Sequence, residues 1–437
     1  MPSRSDQLHS YQFAVQRVVS AVAAHESNPS RPPGRRAGLA LLAGVLAAAL
    51  GLAGFAVWGL LQPGGSTKWR SGTAVIVEKE SGAKFVYLDG VLHPVVNYAS
   101  ALLIVGAART IAVARRSLAG AARGPLLGIP GAPDAVPGRR DLLGGPWAVC
   151  GEAGPGRSTV LVGSVPAGDP LGPNGALVST PDGAVHLVWQ GRRAQVREPE
   201  TVLGMLVWGT PAPVPSAVVN ALAVAADIAR VPIPRRGLPF PPVPGARVGQ
   251  VFLVDGRQHA VALTEGLAPM TPFQAALVLG DPATVERVGQ TAPTPLSPGE
   301  YASLPRTAFP GTWEGLPAEV PRPVTVGAGA AVCATSLTGG EVVVGRAPPR
   351  GAAIAGSAKG LADEVRVAPG HGALAVAGNG VIYLVTDLGT RYPLASADVL
   401  PMLGYGGAKP VPVPAEILAL LPTGPGLYPQ AARAVVG

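Results

Sequence analysis

LALLAGVLAAALGLAGFAVWGLL, residues 39–61, runs 23 residues without a charge. At about 1.5 Å of rise per residue, a helix of that length spans roughly 30 Å, the thickness of a bilayer's hydrocarbon. The stretch therefore predicts one membrane-spanning helix and divides the chain into parts that meet different solvents. A cleaved signal peptide would carry an apolar core of about 7–15 residues behind a short basic head, whereas this core is longer and 38 residues precede it. A helix buried in a soluble core would keep some polar face over the same length. Arg4, Arg17, Arg31, Arg35 and Arg36 precede the span, against Lys68 and Arg70 just after it. Positively charged flanks stay in the cytoplasm, so residues 1–38 are expected inside and everything from Gln62 to the end, 62–437, outside.

Of the 437 residues, 48% are hydrophobic and 14% charged, with 59 Gly and 48 Pro. That profile belongs to a turn-rich folded chain long enough for two or three packed units, not to a disordered one. The net charge is +8, and residues 1–38 hold five Arg against Asp6 and Glu26, leaving about +5 for the large outer part. A surplus spread so thinly argues against a nucleic-acid surface. Both cysteines, Cys150 and Cys333, fall on the outer side, where an oxidising compartment permits them to pair. Two buried free thiols are the alternative. A cross-link closing so long a loop is worth about 5 kcal/mol in the chain-entropy model.

Ahead of the span, SDQLHSYQFAVQRVVSAVAAHE (5–26) places Leu8, Tyr11, Val15, Val18, Val19 and Val22 at spacings of three and four. This is one apolar stripe on a helix, opposite Gln12, Gln16 and Arg17. With a single Arg inside it, the helix suits a protein partner better than a lipid surface. SNPSRPPGRR then breaks it. Inside the span, Ala43, Ala47 and Gly51 share one small-residue face and Ala40, Gly44 and Ala48 another, as close helix contacts in lipid require.

From residue 70 the pattern turns strand-like. FVYL and VLHPVV flank Asp89-Gly90, the strongest short hairpin signal because a type I′ turn needs positive φ at both central positions. The phrase returns as HLVWQGRRAQV with Gln190-Gly191, as VFLVDGRQHAV with Asp255-Gly256, and as VIYLVTDLGTRYPL with Asp387 and Gly389 in a longer turn. The first and third copies share D-G-x-x-H-x-V through His93 and His259, both read as packing or turn-stabilising residues. A helix-like run follows each hairpin: SALLIVG, ETVLGMLVWG, TPFQAALVLG and ADVLPMLGYG. In the third, Thr271, Pro272 and Gln274 match a capping box and Gly280 fits a C-terminal cap. Irregular spacing implies four small α+β repeats, near 70–112, 180–212, 246–282 and 370–408, rather than a solenoid. WAVC and AAVCATS are strand-like; if the cysteines pair, these runs are neighbours in a central β core. That core is expected from 130–180, 285–365 and the C-terminal tail VPVPAEILALLPTGPGLYPQAARAVVG, whose prolines suggest an extended run over a surface.

No catalytic or metal-binding pattern emerges. A P-loop ends in Gly-Lys, yet Lys68, Lys79, Lys84, Lys359 and Lys409 each follow another residue. GAGAAV at Gly327 lacks the third glycine of a dinucleotide loop, there is no G-x-S-x-G or H-E-x-x-H, and the six histidines are dispersed. Glu198 and Glu200 flank Pro199 as a weak acid/base pair, and Arg109, Arg115, Arg116 and Arg123 form a basic run suited to solvent, to anionic wall polymer or to lipid headgroups.

The order of these features, with ESGAKFVYLDGVLHPVVNYASALLI, GPLLGIPGAPD, WAVC, a second cysteine and the terminal LALLPTGPGL, resembles the EccB family of the type VII (ESX) secretion system over nearly the whole chain. The resemblance implies a single-pass inner-membrane protein with a mixed α/β, β-rich periplasmic domain of four repeats about a β core, stapled by one Cys150–Cys333 disulfide. It implies a structural role beside EccC, EccD, EccE and a mycosin, with homo-oligomers and cell-wall contact as further expectations. Family members are described as ATPases, so ATP enters by that attribution alone; no other cofactor is expected.

Overall fold

The computed structural model describes residues 3–24, 34–61, 67–154, 156–336, 341–353 and 360–437. Of the expected break at 27–36, residues 27–33 lie outside the described residues, as do Gln62 and Lys359, while Gly34, Arg35 and Arg36 already belong to the helix Gly34–Leu61 and so do not break it. The chain forms two compact units, Met1–Lys68 with Val113–Gly120, and Trp69–Ala112 with Ala121–Gly437.

In the first unit α1 spans Arg4–Ala24 and α2 spans Gly34–Leu61. The predicted stripe of α1 is exposed along its whole length, from Leu8 to Val22. Within α2 the 20 residues Gly38–Val57 have a mean hydropathy of 2.3 and none of them is buried by protein. An apolar helix with no protein cover is what a bilayer solvates and water does not.

The second unit is mixed α/β and rich in small sheets. Repeat 1 contains β1 (Val75–Glu78), β2 (Lys84–Leu88), β3 (Val91–Pro94), α3 (Tyr98–Val105) and β4 (Thr110–Val113); the helix that follows in sequence, α4 (Arg115–Leu118), belongs to the first unit. The first half of a central sheet follows: β5 (Ala148–Glu152), β6 (Ser158–Leu161) and β7 (Gly168–Pro170). Repeat 2 has β8 (Ala176–Ser179), β9 (Val185–Trp189), β10 (Arg192–Val196), α5 (Pro199–Met205), β11 (Ala212–Pro213), α6 (Ser216–Asn220) and β12 (Ala223–Val224). Repeat 3 has β13 (Val251–Val254), β14 (Gln258–Leu263), β15 (Gly266–Met270), α7 (Pro272–Gly280), α8 (Pro282–Val288), β16 (Thr294–Leu296) and α9 (Pro298–Ser303). The sheet's second half is β17 (Ala330–Thr335), β18 (Glu341–Arg346), β19 (Ala352–Ala353) and β20 (Glu364–Arg366). Repeat 4 has β21 (Ala373–Val376), β22 (Ile382–Val385), β23 (Arg391–Pro393), α10 (Val399–Met402), β24 (Val411–Pro412) and α11 (Ala415–Ala419), and α12 (Pro429–Ala432) ends the described helices.

Each repeat is an antiparallel three-stranded meander whose helix returns the chain to lay a fourth strand beside the first. In repeats 2, 3 and 4 that fourth strand runs parallel to the first. In repeats 2, 3 and 4 a second short helix then leads to an extended segment parallel to the third strand, through Val196 and Ile228, Leu267 and Arg306, and Arg391 and Thr423, and in repeat 1 Arg123 lies parallel to Leu92 in the same way. The repeats are therefore longer than their hairpins suggested. Residues 294–303 belong to repeat 3, and the C-terminal tail is the second half of repeat 4 rather than a surface strip. Ile417, Leu418 and Leu421 of the tail are buried in the central core, together with Val218, Val219 and Leu222 of repeat 2.

The predicted turns divide. Asp89-Gly90 and Gln190-Gly191 are two-residue turns with φ of 46° and 83°, and of 42° and 71°, closing pairs Leu88–Val91 and Trp189–Arg192. Both join second to third strands. Asp255-Gly256, also left-handed at φ 48° and 67°, joins the first strand of repeat 3 to its second in a three-residue loop between Val254 and Gln258. Asp387 and Gly389 lie in a five-residue loop between Val385 and Arg391, where only the glycine of the two has positive φ, 76°. His93 thus sits on a third strand and His259 on a second, so their shared motif is a coincidence of spacing and not an internal equivalence.

Packing pairs the repeats. Helices α3 and α10 share one core with Val86, Leu374 and Leu384, which joins repeats 1 and 4, and α5 and α7 share another with Leu187, Val251 and Val261, which joins repeats 2 and 3. The capping box of α7 is present: Thr271 Oγ1 accepts from Gln274 N–H at 3.2 Å and Gln274 Oε1 accepts from Thr271 N–H at 2.8 Å. Gly280 is not a left-handed cap, because the cap residue is Asp281 with φ −67°. It is glycine because a Cβ there would lie 2.3 Å from the Met205 carbonyl oxygen at the end of α5. Gly280→Ala is expected to cost about 1–3 kcal/mol through this overpacking, read as a lower urea midpoint of the full chain.

A second helix end shows the opposite misfit. Just past α3 and α10 the chain turns left-handed at Gly106 (φ 75°) and Gly404 (φ 90°), but past α5 the residue is Val207, at φ 53° and 90% exposed. A β-branched side chain in that region is strained by about 1–2 kcal/mol. Val207→Gly is expected to raise stability by about 1 kcal/mol, net of the entropy that glycine returns to the unfolded chain. An unchanged or lower unfolding midpoint would refute the strain.

Candidate functional site

Where the described residues concentrate their polar and covalent chemistry is at the joints between modules. The central sheet has the order β19-β20-β6-β5-β17-β18-β7, so its two middle strands come from opposite ends of the inserted repeats 2 and 3. Alternation along β5 and β17 sends Val149, Val332 and Ala334 into the main core and Ala148, Cys150, Ala331 and Cys333 to the other face. Cys150 and Cys333 stand directly opposite in the antiparallel ladder. They form a disulfide with a Cα–Cα distance of 4.0 Å across 183 residues of sequence. The expected neighbourhood of WAVC and AAVCATS in one sheet is the arrangement observed. Gly151, next to the staple, lets α6 approach: a Cβ there would fall 2.6 Å from Val218 Cγ2.

A charged joint fixes repeat 3. Asp281 lies between α7 and α8 and caps α8 by accepting from the Ala283 N–H at 2.9 Å. Its Oδ1 accepts from Arg230 at 2.8 Å and its Oδ2 meets Arg236 Nη1 at 2.7 Å, with the Asp281 and Arg236 side chains only 2% and 5% exposed. Arg236 also donates to Thr284 Oγ1 at 2.8 Å and to the Val231 carbonyl at 3.0 Å. Burial acts to raise the Asp281 carboxyl, but hydrogen bonds from Arg230, Ala283 and Arg236 outweigh it and hold the group below its usual range. Glu198 stands at the edge of this network, 4.0 Å from Arg230. Glu200 lies in the exposed first turn of α5, so the pair reads as a charge rim and a helix start, not as a catalytic dyad. Sequence reading missed Asp281, Arg230 and Arg236 because the arginines lie 51 and 45 residues ahead of the carboxylate without a motif; the one local signal was Asp281-Pro282, an N-cap followed by proline.

The remaining predicted residues are dispersed. The His93 ring donates from Nδ1 to the Pro125 carbonyl at 3.2 Å, and His259 lies opposite Leu253 and Met270 in the repeat 3 sheet. Arg109, Arg115, Arg116 and Arg123 are exposed. Among the described residues no group of three or more His, Cys, Asp or Glu is placed to hold a metal. Three surface clefts have volumes near 640, 530 and 490 Å³. Asp363 is the titratable residue of the first, Arg346 and Arg366 are those of the third, and the second is lined by uncharged residues. A nucleotide triphosphate with its metal calls for cations and carboxylates together, a combination that these three clefts lack.

The sequence model of the family described as type VII secretion system ESX-1, transport TM domain B, matches residues 1–436. The chain belongs to the EccB family. It is 28% identical over 96% of its length to the ESX-3 secretion system ATPase EccB3 of Mycolicibacterium smegmatis, covering 88% of that protein. It is 29% identical over 82% of its length to the ESX-2 secretion system ATPase EccB2 of Mycobacterium tuberculosis, covering 81% of it. Among solved structures, a chain of the intact ESX-5 inner membrane complex superposes with a TM-score of 0.65 at 25% identity, covering all of this chain and 96% of that one. A chain of the EccB3 dimer from the ESX-3 core complex gives a TM-score of 0.65 at 25% identity, over 83% of this chain and all of that one. The fold of paired repeats about a stapled sheet is thus an EccB fold.

Proposed function

We propose that this chain is the structural inner-membrane subunit of a type VII (ESX) secretion channel, scaffolding the complex through its outer domain. The observation that carries this reading is the likeness of the whole chain, span included, to a chain of an inner membrane complex. Helices α1 and α2 are its docking elements: α1 carries an exposed apolar stripe for a cytoplasmic partner and α2 an uncovered apolar surface for neighbouring spans or lipid. The partners proposed are EccC, EccD, EccE and a mycosin, with a second copy of the chain as the homo-oligomeric contact. Affinity purification of the tagged full chain from detergent-extracted membranes should recover these subunits in one assembly. Recovery of the chain alone, with secretion unchanged in a deletion strain, would defeat the proposal.

The arginine asymmetry supports an N-terminus in the cytoplasm and the 62–437 domain in the periplasm. A cysteine at Ser3 should be shielded from impermeant reagent in intact cells and one at Thr67 should react once the outer envelope is opened. The opposite labelling overturns this orientation. The relatives' names carry a second reading, ATP hydrolysis. ATP turnover by the purified full chain, surviving removal of every motor subunit, would favour it over a purely structural role.

A further inference from the structure

The outer domain is electrically uneven. Between residues 68 and 131 the chain has eight Lys and Arg against three Asp and Glu, whereas from 132 to 437 it has 21 of each. The surplus of five positive charges is therefore not spread over the outer part but belongs to the stretch from 68 to 131, in which Lys68, Arg115 and Arg116 fall in the first unit and Arg70, Lys79, Lys84, Arg109 and Arg123 in repeat 1 of the second. That stretch is joined to the end of α2 by residues 62–67, six residues that reach at most about 20 Å. That reach bounds how far the first residues of repeat 1 can lie from the end of α2.

Within repeat 1 the structure gathers part of this charge on one face. The Arg70 guanidinium lies 5.1 Å from the Trp69 ring centroid, and Trp69 meets Tyr87 edge-on at 5.1 Å. The Arg123 guanidinium lies 4.7 Å from the Phe85 ring. Phe85 and Tyr87 alternate along β2 with Val86, which belongs to the core shared with α3. Both arginines therefore sit on the side of the sheet turned away from α3. Arg109, just ahead of β4, and Lys79 are also exposed. Guanidinium groups over aromatic rings, with their outer edges in solvent, combine an apolar underside with a fork of donors, the chemistry that suits a lipid headgroup layer.

We propose that this face of repeat 1 binds the anionic phospholipid headgroups of the membrane that α2 crosses. The proposal rests on the membrane reading of α2. It goes beyond that reading by giving repeat 1 a ligand, the headgroup phosphate, and a task, holding the base of the outer domain against the bilayer. The attraction acts within a Debye length of about 8–10 Å at physiological ionic strength, a range that the short tether makes accessible.

The test uses the full chain, spin-labelled at Ala122→Cys beside Arg123, in vesicles of phosphatidylcholine alone or mixed equally with phosphatidylglycerol, each doped with a nickel-chelating lipid. Flotation with both vesicle types reports insertion of α2 separately from the behaviour of repeat 1, so a failure of the membrane reading is distinguishable. We expect nickel to relax the label strongly in the anionic vesicles, weakly in the neutral ones, and weakly in both at high salt. Each arginine near an anionic surface raises the bound population about fivefold. Arg70→Gln, Arg109→Gln and Arg123→Gln together should therefore lower the bound-to-free ratio about a hundredfold. The triple variant should keep the near-ultraviolet circular dichroism of the native chain, and the charge-matched Arg235→Gln, Arg257→Gln, Arg287→Gln chain should behave as wild type. Equal relaxation in the two lipids, or a triple variant that relaxes like wild type, overturns the proposal. So does a label blind to both lipids but immobilised by polyglutamate, which would assign the face to an acidic polypeptide.

Discussion

Cys333→Ser is expected to destabilise the second unit by about 5 kcal/mol, the largest effect of any single change considered. The bond closes a loop of 183 residues, and in the chain-entropy model the loss grows with the logarithm of that length. Because Cys150 and Cys333 face each other in the ladder with both side chains buried, the variant keeps its strand pairing and loses only the covalent restraint on the unfolded chain. The melting temperature of the full chain, taken without reductant, should fall clearly. Cys150 should label with a thiol reagent only under denaturant, since it is 1% exposed in the folded chain. An unchanged melting temperature, or a thiol titrating in the folded wild type, would show that the central sheet does not depend on its staple.

The second large effect is at Asp281. Its removal leaves the Arg236 guanidinium, 5% exposed, buried without its carboxylate, and breaking one partner out of a buried pair costs about 3–5 kcal/mol. Asp281→Ala should show that loss in urea unfolding. Asp281→Leu with Arg236→Met should recover most of it, because a buried pair replaced by apolar groups of similar volume is often neutral. The pH dependence has a definite sign. The folded carboxyl titrates below its ordinary value of 3.8, so the stabilisation is present above that value and disappears as pH falls through the lower folded value. The double variant should therefore lose less stability than wild type on acidification below about pH 4. If the two chains decline in parallel, the joint contributes nothing through its charge.

The sequence made the span, the α1 stripe and the four hairpins legible because each is a local pattern: a run without charge, a period of 3.6, or two apolar runs about a left-handed dipeptide. It misled where a local signal was shared by different positions of one motif. Asp255-Gly256 has the dipeptide of Asp89-Gly90, yet it closes the first turn of its meander rather than the second, and hairpin propensity carries no strand number. The tail misled for another reason. APVPSAVVNAL at 212–222 and VPVPAEILALL at 411–421 are one phrase, with helix ends of identical φ −75° and ψ −10° at Ala221 and Leu420, but prolines drew attention to extension instead of to the repeat. Gly280 looked like a cap because glycine ends helices; only the third dimension shows Met205 against it. The network of Asp281, Arg230 and Arg236 was invisible since long-range ion pairs have no period.

The order of the central sheet also governs when the domain can be finished. Strand β5 is made early, but its partner β17 lies beyond repeats 2 and 3, so a chain that emerges from its N-terminal end presents Cys150 long before Cys333 arrives. Repeats 2 and 3, which bury each other's helices, can close as a pair in that interval, and repeat 1 waits for repeat 4 in the same way. Assembly from the inner pair outward leaves the oxidation of the cysteines to the moment when the last sheet strands emerge. During that interval Cys150 is an unpaired thiol on an unfinished edge, open to an oxidant or a competing strand. The step at which this protein is most exposed to misfolding is therefore set by the 183 residues between its cysteines, a property of topology that no local stability measurement on a single repeat would reveal.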